Sequence, residues 1–183
     1  MSPLLAILIP TLTERQQLLD RLVAELDKQR VGKNVILIIA EDERQKTTGQ
    51  KRNELVQTAI DNNADYISFA DDDDMVSHTY IQRGIETMES GVDCGELWGN
   101  YYEKGKLIKP FHHYLGCTHA LDDGHKFHRF PNHLNFMKLE LVKDFKFQNK
   151  VFGEDMTWAE EIMKAGVLKT MHRITEIIYH YHK

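Results

Sequence analysis

Short, continuous apolar runs alternate with segments of helical periodicity through the first half of the chain. Residues 4–9 and 35–39 contain no polar side chain, which is typical of strands covered on both faces of a parallel sheet. Residues 66–70 form a third, mostly apolar run. Between these runs, residues 18–26 and 55–60 carry apolar side chains at helical spacing. This alternation predicts an α/β fold built on a βαβαβ sheet.

The flanking residues predict where the helices begin. Thr13 to Gln16 has the spacing of a capping box and would start the first helix. Ser77 is placed to cap a later helix that extends to about residue 90. The remaining predicted elements are a hairpin over residues 95–108 with its turn at Lys104–Gly105, helices over 138–145 and 156–165, and a last strand over 174–181.

Composition restricts the class of protein. The 183 residues suffice for one domain, residues 1–183, with a single buried core. A content of 42% hydrophobic and 28% charged residues excludes a disordered chain. The two cysteines, Cys94 and Cys117, are too few for a disulfide framework, and the run at 4–9 is too short to cross a bilayer. We therefore expect a cytoplasmic protein without a transmembrane segment.

Four consecutive aspartates, Asp71, Asp72, Asp73 and Asp74, directly follow the third predicted strand. An acidic run is usually a solvated surface. This one, however, stands where ligands bind in open α/β sheets, outside the carboxyl ends of the strands. Adjacent carboxylates repel one another, and Mg²⁺ or Mn²⁺ bridged to substrate phosphates would relieve that repulsion. The net charge of −5 is then better explained by a metal and diphosphate site than by a repulsive surface.

Charged residues also mark the starts of two predicted helices. The second helix opens with Gly49-Gln50-Lys51-Arg52-Asn53, where backbone N–H groups and two cations would face an anion; the alternative is an amphipathic helix with a basic first turn. Glu154 and Asp155 precede the helix at 156–165, where N-terminal capping explains acids equally well. If the aspartates hold a diphosphate, a carboxylate there would serve as general base toward an acceptor hydroxyl.

Histidines are concentrated in two places. Residues 110–135 hold six of the ten and show no clear period, and a loop of that length is usually functional or mobile. His180 and His182 lie two apart on the last predicted strand and therefore face one side. That placement suits a metal or phosphate contact and equally a polar sheet face.

Four motifs, taken in order, resemble the GT-A glycosyltransferases and among them the large family 2. They are a first strand ending in Ile9-Pro10-Thr11, the helix start at Gly49 to Asn53, the strand from Tyr66 that runs into a D-x-D, and Gly153-Glu154-Asp155 before a helix ending at Gly166. Each motif is weak alone, but four at compatible spacing are more specific, and together they cover most of the chain. The resemblance implies a Rossmann-like GT-A fold, a three-layer αβα sandwich with a mostly parallel central sheet. It also implies a nucleotide-sugar half at about residues 1–100 and an acceptor half at about 101–183.

The resemblance implies roles for individual residues. The expected contacts of a nucleotide-sugar donor are Pro10, Thr11, Glu14, Asp42, Lys51, Arg52, Asp71 and Asp72. The expected ligands of Mn²⁺ or Mg²⁺ on its diphosphate are Asp73 and Asp71, with His180 or His182. Asp155, with Glu154 beside it, matches the catalytic base. Both Asp71-x-Asp73 and Asp72-x-Asp74 satisfy the D-x-D, and the usual spacing after the strand favours the first.

The acceptor side is defined less well. The segment from Phe130 to Asn135 lies where family members build it, so His133 and Asn135 are candidates. Trp158 is a further candidate, although a tryptophan in such a helix is more often a core residue.

The implied activity is metal-dependent transfer of a glycosyl group from a nucleoside diphosphate sugar to an acceptor hydroxyl. The anomeric centre would be inverted, with Asp155 as general base. The acceptor class stays open among glycans, lipid-linked molecules, proteins and modified nucleic acids. One alternative is nucleotidyl or other phosphoryl transfer, which also uses clustered aspartates with Mg²⁺. The other is a nucleotide-binding module without turnover, against which the presence of both the D-x-D and the Glu154–Asp155 pair argues.

Overall fold

A computed structural model of the protein describes residues 2–183. The helices are α1 (Gln16–Arg30), α2 (Thr48–Asp61), α3 (Tyr80–Glu89), α4 (Leu139–Val142) and α5 (Glu154–Ala165), with a 3-10 helix at Thr13–Arg15. The strands are β1 (Leu5–Leu12), β2 (Val35–Asp42), β3 (Tyr66–Phe69), β4 (Met75–Val76), β5 (Cys94–Gly95), β6 (Leu97–Glu103), β7 (Lys106–His113), β8 (Leu121–Asp122), β9 (Phe127–Arg129), β10 (Met137–Lys138), β11 (Met171–His172) and β12 (Ile177–His182). None of the helices in this range combines the length and the apolar character that crossing a bilayer requires.

The first sheet is built around β1. This strand pairs in parallel with β2 on one side and β3 on the other, so that Leu5 lies opposite both Val35 and Tyr66. The sheet continues antiparallel through β10 and β5 and ends with β11 parallel to β5, in the order β11-β5-β10-β3-β1-β2. The predicted βαβαβ unit is confirmed, and the antiparallel pairings are confined to the half beyond β3.

Helices cover both faces of this sheet. Leu5, Ile7 and Ile9 pack with α1 and α3 in one hydrophobic cluster, whereas Ala6 and Leu8 pack with α2 and α5 in another. All five side chains are fully buried, which is why β1 is apolar at every one of these positions. Burying one Leu or Ile side chain stabilises the fold by about 1.5–3 kcal/mol. The predicted three-layer αβα arrangement is confirmed.

A second sheet, which the sequence did not predict, has the order β4-β12-β6-β7-β9-β8. Its centre is the hairpin of β6 and β7, which confirms the hairpin predicted over residues 95–108. Lys104 and Gly105 at the turn both have positive φ, 49° and 75°, as tight hairpin turns of this kind require. The last strand, β12, lies parallel to β6 and antiparallel to β4. The predicted final strand therefore belongs to this second sheet.

The segment at 110–135 is partly ordered into the same sheet. The hairpin strand β7 continues to His113, and β9 pairs with it in parallel, with Phe111 opposite Phe127. β8 and β9 have only two and three residues. Strands this short show no alternation of apolar and polar residues. The predicted long loop is therefore interrupted by strands, while residues 114–120 and 130–136 are irregular as predicted.

Two predicted helix starts are also wrong. Thr13 lies in the 3-10 helix, and α1 begins at Gln16 without a side-chain cap. α3 begins at Tyr80, and the Ser77 hydroxyl accepts a hydrogen bond from the N–H of Thr79 instead. The complete capping box precedes α2, where Thr47 and Gln50 exchange side-chain and backbone hydrogen bonds. Thr13 and Thr47 both precede a Gln by three positions, so the motif alone does not distinguish them.

Candidate active site

A cleft of about 930 Å³ lies where the carboxyl ends of β1 and β3 meet the second sheet. Because β1 and β3 are parallel, the residues that follow them lie at the same edge of the first sheet. Tyr101, Phe111, Phe127 and Tyr181 of the second sheet form part of the facing wall. The predicted site residues that line the cleft are Pro10, Thr11, Lys51, Arg52, Asp71, Asp72, Asp73, His133, Glu154, Asp155 and His182.

Asp71 and Asp72 are paired with cations of the protein itself. Arg52 Nη2 donates to both carboxylate oxygens of Asp71, at 2.9 and 3.2 Å. Asp72 is buried and accepts hydrogen bonds from Arg15 Nη1 at 2.8 Å and Thr11 Oγ1 at 2.7 Å. The argument that these carboxylates need an added cation was therefore wrong for this pair, because two arginines already offset their charge.

Asp73 and Asp74 differ in exposure. The Asp73 side chain is 40% exposed and lines the cleft, with Arg15 Nη1 at 3.1 Å. Asp74 is fully buried away from the cleft and accepts hydrogen bonds from the Tyr179 hydroxyl at 2.8 Å and the His182 N–H at 2.7 Å. Burial raises the pKa of Asp74 to about 8, and burial together with Asp71 also raises the pKa of Asp73. Of the two D-x-D assignments, only Asp71-x-Asp73 presents both carboxylates to the cleft.

A buried network centred on Arg52 joins α2 to α5. Besides its two bonds to Asp71, the guanidinium donates from Nη1 to Glu154 Oε1 at 2.8 Å. Burial by itself would raise the pKa of Asp71. The opposing effects of Arg52 and His133 are larger and hold that pKa well below its usual range. Burial raises the pKa of Glu154, and Arg52 only partly offsets the increase. The Arg52 guanidinium thus holds two protein carboxylates in place, and its buried Nε–H has no partner among residues 2–183.

Lys51 is also engaged within the protein. Its Nζ donates to the backbone oxygen of Thr11 and to Asp42 Oδ1, both at 2.7 Å. An ammonium group has three N–H donors, so one remains for a ligand in the cleft. Asp42 and Glu14 do not line the cleft but a smaller pocket of about 280 Å³, which shares Leu12 with it. Of the predicted donor contacts, Asp42 and Glu14 therefore lie outside the main cleft. Asp42 is connected to the cleft through its ion pair with Lys51.

Glu154 and Asp155, the two acids before the predicted helix at 156–165, lie in the first turn of α5 and have different environments. Gly153 at the N-cap has φ 76°, a left-handed conformation that glycine adopts at little cost. Glu154 is buried and points to Arg52, whereas the Asp155 side chain is 35% exposed and lines the cleft. Asp155 is therefore the carboxylate that a substrate can reach.

His133 lies between Asp71 and Asp155. Its Nε2 is 3.6 Å from Asp71 Oδ2, and its Nδ1 is 3.7 Å from Asp155 Oδ2. The ring meets Phe69 edge-on, with 5.9 Å between ring centres, and the backbone oxygen of His133 accepts a hydrogen bond from the Phe69 N–H. His133, which was predicted for the acceptor side, therefore lies between Asp71, a predicted donor contact, and Asp155, the predicted base.

Two other predicted acceptor residues are in the core. Trp158 is 1% exposed, stacks on Phe147 with 4.7 Å between ring centres, and donates from Nε1 to the Phe145 backbone oxygen. Asn135 is equally buried, and its side-chain amide bonds to His113 and to the Gly95 and Asn132 backbones. Neither lines the cleft, so their prediction as acceptor contacts is corrected: both hold the fold together.

Only one of the two C-terminal histidines lines the cleft. His180 and His182 both lie against the ring of Tyr102, at 6.0 and 4.8 Å between ring centres, so they share one side of β12 as predicted. His182 lines the cleft, but His180 pairs with Met75 on β4 and does not. The prediction of His180 as a metal ligand is therefore not supported by its placement.

The predicted metal ligands do not form a complete metal site by themselves. In the described part of the chain, no three or more His, Cys, Asp or Glu side chains are grouped to hold a metal ion. Both oxygens of Asp71 accept hydrogen bonds from Arg52, and Asp73 is the more exposed of the two carboxylates, at 40% against 23%. Mg²⁺ is usually bound through one or two carboxylates and substrate phosphates. The residues therefore fit a metal shared between Asp73 and a bound diphosphate, and do not fit a cage made by the protein alone.

Two cations at the cleft were missed by the sequence analysis. Arg15, at the end of the 3-10 helix, bridges Asp72 and Asp73. Arg129, on β9, lies 5.5 Å from the centre of the Phe127 ring and has no carboxylate within 4 Å among residues 2–183. Arg129 lies in a strand too short to show a period, and the capping-box spacing that includes Arg15 assigns no role to its side chain, so local sequence carried no signal for their part in the cleft.

No protein-family model matches the chain, and no curated protein matches it. Among solved structures it is similar to S. aureus TarS, with a TM-score of 0.68 and 12% identity over 98% of this chain and 37% of that chain. TarS 1–349 in complex with UDP is 13% identical with a TM-score of 0.66, and in complex with UDP-GlcNAc 11% identical with a TM-score of 0.61. This chain spans 58–60% of those two, and so corresponds to part of TarS.

A smaller protein shares the same architecture. A197 from STIV is 12% identical, with a TM-score of 0.52 over 94% of this chain and 82% of that chain. Identities this low establish similarity of fold. The chain has the GT-A type fold that its four motifs predict.

Proposed function

We propose that this protein is a glycosyltransferase that moves a sugar from a nucleoside diphosphate sugar to an acceptor hydroxyl. The observation that carries the proposal is the convergence of Lys51, Asp71, Asp73 and Asp155 on one cleft at the carboxyl ends of β1 and β3. Solved TarS structures of the same fold are complexes with UDP and UDP-GlcNAc, which supports a nucleotide-sugar donor here.

The donor's diphosphate would lie between the first sheet and the second. The cleft volume of about 930 Å³ is within the range of roughly 300–1,000 Å³ typical of ligand sites. The remaining N–H donor of Lys51 and the 40% exposed side chain of Arg15 are cationic groups available to phosphate oxygens there. Arg52 would shape this side of the cleft by holding Asp71 and Glu154.

A divalent cation would be held by Asp73 together with the phosphate oxygens of the donor, with His182 at the same wall. When bound, such an ion offsets the negative charge that develops on the departing diphosphate. Burial and the charge of Arg21 lower the pKa of His182, and the charge of Asp73 offsets them only in part.

Asp155 would act as the general base. The acceptor hydroxyl gives its proton to the Asp155 carboxylate while its oxygen bonds to the anomeric carbon, and the bond from that carbon to the diphosphate breaks with both electrons leaving on the phosphate oxygen. A single displacement of this kind inverts the anomeric centre. The arrangement supports this role because Asp155 is open to the cleft, whereas Glu154 is held by Arg52.

The first experiment identifies donor and cation together. A panel of nucleoside diphosphate sugars is screened by thermal unfolding with Mn²⁺, with Mg²⁺ and with EDTA, since a ligand that binds the folded state raises its melting temperature. We expect one nucleotide class to stabilise the protein more strongly with a divalent cation. Transfer from the labelled donor to added hydroxyl acceptors is then followed by product analysis. Sugar 1-phosphate released from the labelled donor would instead indicate nucleotidyl transfer, and stabilisation without turnover would indicate a binding module.

The second experiment tests the base. Asp155→Asn should lower kcat by roughly 10²–10⁴-fold while leaving donor-dependent stabilisation unchanged. Glu161→Gln, an exposed acid on the same helix, is the matched control and should keep wild-type turnover. Near wild-type transfer by Asp155→Asn would show that the base is assigned wrongly.

A further inference from the structure

His133 is a buried polar side chain without a hydrogen-bond partner. It is 4% exposed, and neither ring nitrogen has a partner among the described residues. Buried polar groups are hydrogen-bonded in the great majority of cases, because removing them from water without a partner is costly. Since His133 also lines the cleft, its unsatisfied nitrogens indicate contacts that form only when the site is occupied.

The two carboxylates that face the ring differ in how they are held. Asp71 already accepts two hydrogen bonds from Arg52. The Asp155 carboxylate accepts none from any side chain or backbone group in residues 2–183, and His133 Nδ1 at 3.7 Å is the nitrogen that faces it. That distance exceeds the 2.7–3.2 Å of an N–H···O bond, but hydrogen bonds in catalytic sites are often long before substrate binds and shorten afterwards.

The backbone holds His133 in place while Asp155 has more freedom. The His133 oxygen accepts from Phe69 N–H at 2.9 Å, and the neighbouring Leu134 is bound through its N–H to Asn132 Oδ1 and through its oxygen to Ser68 Oγ. Asp155, by contrast, is 35% exposed at the first turn of α5. A small shift of the Asp155 carboxylate toward a fixed His133 would close the gap.

We propose that His133 is a positioning residue that donates from Nδ1 to the Asp155 carboxylate in the occupied site and so aims its free oxygen at the acceptor hydroxyl. This inference rests on the proposed function, in which Asp155 is the base. An ionised carboxylate can only accept hydrogen bonds, so in this contact Nδ1 carries the hydrogen, while Nε2 faces Asp71 Oδ2 at 3.6 Å.

Three substitutions test which nitrogen matters. In His133→Asn the amide nitrogen falls near the position of Nδ1, in His133→Gln it falls near Nε2, and His133→Leu removes both with little change in size. We expect His133→Leu to lower kcat by about 10- to 100-fold, since misplacing a reacting group costs that much, with little change in the acceptor KM or in donor-dependent melting. The Asn variant should recover more of kcat than the Gln variant. Wild-type kcat in the Leu variant, or a better rescue by Gln, would overturn the proposal.

A double variant separates positioning from a general structural effect. If His133 acts through Asp155, then adding His133→Leu to Asp155→Asn should lower kcat no further. A further loss as large as that of His133→Leu alone would overturn the proposal.

A readout independent of turnover separates this inference from the proposed function. In ¹⁵N-histidine NMR of the wild-type protein with the stabilising nucleotide and cation, the Nδ1 of His133 should carry a hydrogen, and its resonance should move in Asp155→Asn. A lone pair on Nδ1 overturns the inference even if the enzyme is active. Absence of transfer from every donor counts against the proposed function, while the Nδ1 signal still decides the contact between His133 and Asp155.

Discussion

The guanidinium of Arg52 donates to the carboxylate of Glu154 at 2.8 Å across 102 positions of the chain. The same guanidinium holds Asp71, so one buried cation links the start of α2, the end of β3 and the start of α5. Asp71 belongs to the proposed donor side of the cleft and Glu154 precedes the proposed base. The geometry of both sides therefore depends on a single side chain.

Replacing Arg52 should destabilise the protein strongly. Arg52→Met leaves Asp71 and Glu154 without their cation, and breaking a buried ion pair from one side costs about 3–5 kcal/mol. Urea unfolding measures the loss. Lys28→Met, which removes an exposed pair with Glu25, is the control and should cost no more than about 1 kcal/mol. A loss below about 1 kcal/mol for Arg52→Met would mean that the two carboxylates regain water at little cost.

Asp73 and Asp74 should respond to substitution in opposite ways. Asp74→Ala leaves the Tyr179 hydroxyl and the His182 N–H without their acceptor, and each unsatisfied buried donor costs about 1–3 kcal/mol. Asp73→Ala removes a half-exposed carboxylate and should change the unfolding free energy by no more than about 0.5 kcal/mol. We expect Asp73→Ala, however, to abolish cation-dependent donor binding, measured by thermal unfolding. Retention of that effect in Asp73→Ala and its loss in a still-folded Asp74→Ala would favour Asp72-x-Asp74 as the D-x-D.

Gly49 should not tolerate even a methyl group. A Cβ built there would lie 1.9 Å from the backbone oxygen of Gln148, although Ala is normally favoured over Gly in a helix by about 1 kcal/mol. We expect Gly49→Ala to lower the melting temperature and to reduce turnover, because the displaced segment leads into the start of α5. Thr48→Ala in the same turn is the control. A Gly49→Ala variant as stable as wild type would show that residues 148–150 can move away freely.

His113 should make the protein less stable in acid. Burial lowers the pKa of His113 to about 3, whereas the unfolded chain has a histidine pKa near 6.5. Below pH 6.5 the unfolded state therefore binds a proton that the folded state does not, and stability is lost as the pH falls from about 6.5 toward 3. The free energy of unfolding should decrease between pH 7 and pH 5. This decrease should be about 1–2 kcal/mol smaller in His113→Gln than in wild type. An unchanged difference would mean that His113 accepts a proton without unfolding.

Local sequence patterns were sufficient for the three parallel strands of the first sheet, β1, β2 and β3, and for part of the site. β1 is apolar at every position from Leu5 to Ile9 because helices cover both of its faces, and that pattern needs no knowledge of distant residues. The aspartates follow β3 directly, so their position at the carboxyl edge of the sheet follows from strand direction. No strand directly precedes α5, so Asp155 was placed at the cleft only by the family resemblance.

The partners of those carboxylates were decided by tertiary structure. Arg15 reaches Asp72 across 57 positions and Arg52 reaches Glu154 across 102, and no local period encodes contacts at such separations. The second sheet, which brings β12 and the two- and three-residue strands β8 and β9 to the cleft, was equally invisible to local patterns. Sequence alone determined the strands and helices of the βαβαβ unit and where acids gather, because those depend on neighbouring residues. Tertiary packing decided which acids are paired with cations, that Asp155 is open to the cleft, and that His133 lies beside Asp155. Burial and charge pairing depend on residues far apart in the chain, so no local pattern contains them.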